Sequence, residues 1–106
     1  MKGLGNITQL MKQAKDMQAR MAQIQEELEK RQYEASSGGG MVVATVNGRQ
    51  EILSLRIERE VVKPEDIGML QDLIISAVNQ ALRVARESAQ EELSKLTGGL
   101  SLPGLF

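Results

Sequence analysis

The sequence predicts an α+β protein in which a long N-terminal helix, an antiparallel β-hairpin or three-stranded sheet, and a long C-terminal helix follow one another. Three observations carry that prediction. Apolar residues from Ile7 to Leu28 recur at alternating spacings of three and four, two β-rich runs meet at Asn47-Gly48, and a broad apolar stripe follows Pro64. At 106 residues there is material for one modest core, so residues 1–106 are expected to form one domain, with 1–6 and 98–106 as flexible tails.

The first helix is expected from about Ile7, capped by Asn6, to Lys30. Ile7, Leu10, Ala14, Met17, Met21, Ile24 and Leu28 form an a/d seam of the coiled-coil type, and no Gly or Pro interrupts it before Gly38. Such a seam faces either the protein's own core or a partner helix, and Met17 and Met21 read as packing residues within it. Charge separates along the same helix. Residues 1–25 carry Lys2, Lys12, Lys15 and Arg20 against Asp16 alone, a local net +3, whereas Glu26, Glu27 and Glu29 follow. The front of the helix is either an ordinary solvated face or a phosphate-contacting one, with Gln9, Gln13 and Gln18 as added donors.

Tyr33 to Ser37 breaks the helical pattern and suits a short extra strand, and Gly38-Gly39-Gly40 reads as a flexible corner. A phosphate-binding loop is rejected there, because the Lys-Ser/Thr pair and the helix it requires are missing. Val42, Ala44 and Val46 then alternate on one face of a strand, as do Leu53, Leu55 and Ile57 on the next, and Asn47-Gly48 suits a two-residue type I′ turn. A hairpin with one apolar face needs a cover. Pro64-Glu65-Asp66 opens the last helix, whose stripe runs through Leu70, Ile74, Ala77, Val78, Ala81 and Ala85 and weakens toward Thr97, where Gly98-Gly99 stops it. Helices of about 36 and about 50 Å overrun strands of about 20 Å, so a homodimer with projecting helical arms is expected. Its interface is assigned to Val42, Ala44, Val46, Leu53, Leu55 and Ile57 of the hairpin, with Met17 and Met21 of the seam.

Composition excludes much chemistry. The chain has no Cys and no His, which removes disulfides, thiolate nucleophiles, imidazole bases and nearly all zinc sites. Carboxylate pairs such as Glu26 with Glu29, or Glu91 with Glu92, fall on solvated helix faces beside cations, without the burial that a working carboxylate needs. No catalytic residue, cofactor, metal or small-molecule substrate is expected. Tyr33 and Phe106 are the only aromatics, too few for a base-stacking platform, so single strands are poor ligands. The sequence contains no stretch of about 20 apolar residues, so no membrane span is expected and the working compartment is the cytoplasm. A net charge of −1 makes any polyanion site a matter of charge distribution.

Several pieces, taken in their order and spacing, resemble the YbaB/EbfC family of nucleoid-associated proteins. They are Leu10-Met11-Lys12-Gln13-Ala14, Gly38-Gly39-Gly40-Met41-Val42 leading to Val46-Asn47-Gly48, Leu55-Arg56-Ile57, Leu70-Gln71-Asp72-Leu73-Ile74 with Ala77 and Asn79, and Leu102-Pro103-Gly104. The resemblance implies a small α/β protomer that dimerises through its sheet, arms like those of tweezers, and binding of duplex DNA at the nucleoid with a bearing on transcription. On this chain it directs phosphate contacts to Lys2, Lys12, Lys15 and Arg20, with Arg83 and Arg86 of the last helix as second candidates. Asn79 is expected to make a structural hydrogen bond. The competing reading is a helical adaptor whose seams recruit a partner protein, with DNA contact incidental.

Overall fold

The computed structural model describes residues 2–96; the predicted C-terminal tail lies outside them. Helix α1 spans Lys2–Lys30, β1 Gln32–Ser37, β2 Val42–Asn47 and β3 Ile52–Ile57. Two short 3-10 turns, Arg59–Val61 and Pro64–Asp66, lead into α2, Ile67–Leu96. The long helices and the sheet are the elements predicted, and the possible extra strand is real. Helix α1 starts at Lys2 rather than Ile7, so Asn6 is helical and not a cap. Each glycine costs a helix only about 1 kcal/mol, which lets hydrogen bonding continue back through Gly5 and Gly3. The cap at the other helix is Asp66, whose Oδ1 accepts from the Met69 N–H at 3.2 Å.

The sheet is antiparallel with order β1-β2-β3, leaving both outer strands with an unpaired edge. Helix α2 packs across β1 and β2 and does not cover β3. A helix about 10 Å across spans roughly two strands spaced about 4.8 Å apart, so the third strand falls beyond its edge. Ala77, Ala81 and Ala85, one turn apart, bring the helix close to Val42, Ala44 and Val46, and all six are buried. Around them pack Tyr33, Ala35, Leu70, Leu73, Ile74, Val78 and Leu82. The Tyr33 hydroxyl is buried without a hydrogen-bond partner among the described residues. Asn79, expected to be bonded within the apolar run, is exposed on the face of α2 turned away from the sheet.

The Gly38-Gly39-Gly40 corner is a defined turn. All three glycines have positive φ, of 60, 67 and 94°, and Ser37 anchors the turn by donating its hydroxyl to the Leu73 carbonyl at 2.6 Å. A different device closes the hairpin. Gln50 N–H donates to Asn47 O, Asn47 N–H to Glu51 O, and it is Gln50 that has positive φ, at 63°. That is a three-residue loop ending in a left-handed residue, not the predicted type I′ pair. Gly48 is needed for another reason: a Cβ there would overlap the Leu28 carbonyl oxygen at the end of α1. The loop shifts the register, pairing Val46 with Ile52 and Thr45 with Ser54 and leaving Leu53 as the extra residue of a bulge.

The molecule measures 80 × 22 × 17 Å because α1 leaves the sheet and projects alone. Only its last turns are held. Leu28 is buried, Met21 and Ile24 are half-buried, and Arg31 pairs with Glu92 of α2 at 3.6 Å. No helix among the described residues is long and apolar enough to cross a membrane.

Candidate nucleic-acid interface

The projecting part of α1 separates two properties onto two faces. Ile7, Leu10 and Met17 of the seam are 55, 62 and 46 % exposed, a stripe left open among the described residues. At 100° per residue, Lys12 and Lys15 fall on the side opposite that stripe and Arg20 on its flank. All three cations are exposed, and among the described residues none makes an ion pair. Lys2 belongs to the first turn, but its side chain is outside the described set. The arm can therefore meet a polyanion on one face while the seam stays available to a protein.

The acidic residues at the far end of the chain are engaged differently. Lys95 pairs with Glu91 at 3.8 Å and with Glu92 at 3.7 Å, and Glu92 also reaches Arg31. Their charge is partly spent on joining α2 to the end of α1, away from Lys12 and Lys15. Arg83 and Arg86 are exposed on α2 and are not brought to the α1 cations. They line a groove against the hairpin turn instead.

The residues assigned to a dimer interface divide into two groups. Val42, Ala44 and Val46 are a correction: α2 of the same chain buries them completely, so they have no surface to offer a second protomer. Leu53 and Leu55 are 46 and 39 % exposed, Ile57 and Met21 are half-buried, and Met17 is open. Strand periodicity missed Ile52. The bulge turns it to the α2 side opposite Val46, where it remains 54 % exposed. A sequence signal for it existed only in the loop length, which Asn47-Gly48 disguised.

A model of the YbaB/EbfC DNA-binding family matches residues 2–100. The chain belongs to that family. Among relatives, a nucleoid-associated protein from Clostridium novyi is 54 % identical over 101 residues, covering 95 % of this chain and 89 % of that one. A nucleoid-associated protein from Syntrophobacter fumaroxidans is 57 % identical over 95 residues, covering 90 % and 86 %. The crystal structure of an uncharacterized protein from Helicobacter pylori superposes with a TM-score of 0.72 at 26 % identity, covering 85 % of this chain and 95 % of that one. The predicted YbaB/EbfC resemblance and the predicted α+β architecture thus both hold. Among the described residues no group of three or more acidic side chains is placed to hold a metal ion.

Proposed function

We propose that this YbaB/EbfC protein is a homodimeric, nucleoid-associated protein of the cytoplasm that binds duplex DNA with little regard to sequence, organising the chromosome and thereby influencing transcription. The observation that carries the reading is the projecting α1, with Lys12, Lys15 and Arg20 exposed and, among the described residues, free of ion pairs. Lys and Arg contacts to backbone phosphates carry no sequence information, which favours sequence tolerance. The dimer rests on β3. An edge strand with unpaired backbone groups and exposed Ile52, Leu53 and Leu55 is a surface that association covers, and a two-fold pairing of β3 with its copy does so while giving each DNA-binding unit two arms.

Anisotropy titration of the dimer on random duplex at about 50 and about 200 mM salt tests this. Three phosphate contacts give a log–log slope of about −2.7 and a loss of about 40-fold between those salts; two arms give about −5 and more than 1,000-fold. Lys12→Glu with Lys15→Glu is expected to abolish binding and leave the dimer intact, and unchanged affinity would remove α1 from the proposal. The adaptor reading is favoured by one observation, the open seam of Ile7, Leu10 and Met17. Absence of duplex binding at the lower salt, or binding indifferent to salt, moves the assignment to it.

A further inference from the structure

The loop between β2 and β3 carries chemistry of its own. An asparagine followed by glycine is the pair whose carboxamide reacts most readily with the main chain, because glycine has no Cβ to restrict the backbone or obstruct its nitrogen. Asn47-Gly48 is such a pair, whereas the other asparagines, Asn6 and Asn79, precede Ile7 and Gln80 inside helices. The Asn47 carboxamide is half-buried and fixed: Oδ1 accepts from the Arg49 N–H at 2.9 Å and the Glu51 N–H at 3.1 Å, and Nδ2 donates to Glu51 Oε1 at 2.9 Å. Two N–H groups on one carbonyl oxygen polarise it as an oxyanion hole does, which makes Cγ more electrophilic.

The nucleophile is what the fold withholds. Gly48 N–H donates to Arg31 O at 3.1 Å, and a Cβ on Gly48 would overlap the Leu28 carbonyl oxygen, so the end of α1 lies against the peptide group that would react. A nitrogen pinned there neither gives up its proton readily nor swings onto Cγ. Yet α1 is held only by its last turns, through buried Leu28 and the Arg31 pair with Glu92 at 3.6 Å. An element anchored so locally opens before the core of the sheet does.

We propose that Asn47-Gly48 is a latent self-modification site that the docked end of α1 keeps closed. When Gly48 leaves Arg31, the Gly48 nitrogen passes its proton to water or hydroxide and bonds to Asn47 Cγ. The Cγ–Nδ2 bond breaks, ammonia departs with a proton from water, and a succinimide remains. Water then opens the ring. Cleavage of the bond between Gly48 N and Cγ leaves aspartate, and cleavage at the main-chain carbonyl leaves isoaspartate, with the chain running through Cγ. Nothing is oxidised or reduced, and each event consumes one water and releases one ammonia. Both products favour the open state. Aspartate sets a second carboxylate where Nδ2 had been, 2.9 Å from Glu51 Oε1, and isoaspartate adds a methylene to the main chain beside the close contact with Leu28. A protomer whose arm has once opened therefore keeps a loosened junction.

The test follows the whole chain at one pH and temperature, folded and in guanidinium chloride. The tryptic fragment 32–49 is mapped by mass spectrometry and Gly48 hydrogen exchange is read by NMR. One hydrogen bond and one buried leucine restrain the opening, so the folded parent is expected to deamidate at Asn47 about 100-fold more slowly than the unfolded chain. Leu28 is not among the residues packed in the core under α2. Leu28→Ala is accordingly expected to speed Asn47 deamidation and Gly48 exchange together, by about 10-fold or more. Arg31→Ala, which removes the Glu92 pair and leaves the Arg31 carbonyl, is the milder second variant and is expected to move both rates the same way. A folded parent that deamidates as fast as the unfolded chain overturns the lock. Gly48 exchange that rises in either variant without faster deamidation overturns the link between α1 release and the reaction. The deamidated parent and Asn47→Asp are each expected to exchange Gly48 faster than the parent, and protection equal to the parent's in both overturns the one-way release.

Discussion

Leu55→Asp puts a carboxylate where the proposed dimer needs an apolar surface. Leu55 faces the α2 side of the sheet opposite Ala44 and remains 39 % exposed, beside Ile52 at 54 % and Leu53 at 46 %. Together these leave the equivalent of about 1.4 aliphatic side chains in water, and at about 1.5–3 kcal/mol for each, covering them contributes about 2–4 kcal/mol per protomer. A two-fold axis doubles that figure. The substitution removes about 1 kcal/mol of it per protomer and also strips water from two carboxylates, at about 1 kcal/mol or more each. A loss of about 3 kcal/mol or more corresponds to a dimer at least about 100-fold weaker. Because Leu55 is open in the protomer, its far-UV circular dichroism is expected to be unchanged. Sedimentation equilibrium over a wide range of protomer concentration measures the effect. A variant whose dimer constant stays within a factor of about three of the parent's refutes β3 as the interface.

Three further substitutions probe the protomer itself. Gly48→Ala forces the hairpin loop away from the Leu28 carbonyl and is expected to cost about 3 kcal/mol or more, read as a lowered urea midpoint; an alanine tolerated without loss would show that the loop and α1 separate freely. Ala81→Leu overfills the contact between α2 and β2, where Ala81 has no exposure, and is expected to destabilise by about 1–3 kcal/mol in thermal unfolding. Tyr33→Phe removes the unpartnered buried hydroxyl and is expected to raise stability by about 1 kcal/mol; a loss of that size would mean that the hydroxyl finds a partner in solution.

Much of the α1 arm could be read from the sequence. The spacing of Ile7, Leu10 and Met17, and of Lys12 and Lys15 against them, follows from a period of 3.6 residues and needs no tertiary information. The run from Tyr33 to Ser37 was legible as a strand for a similar reason, since it broke one period without starting another. Asn47-Gly48 misled, because the same pair satisfies two demands. As a turn signal it suggests positive φ at Gly48. In the folded protein that conformation belongs to Gln50, and Gly48 is small because the end of α1 presses against it. Asn79 misled as well, since an amide within an apolar run reads as buried until the angle of the helix over the sheet is known.

By itself the sequence determined the number, kind and order of the long elements and the two opposite faces of α1, all of which depend on residues a few positions apart. Tertiary structure alone decided which apolar residues remain for a partner. One helix is wide enough for β1 and β2 and leaves β3 open, so Val42, Ala44 and Val46 disappear under α2 while Leu55 and Ile52 do not. It also brought Arg83 and Arg86 to Gln50 across more than thirty positions of sequence, a meeting set by where α2 crosses the sheet and not by any local pattern.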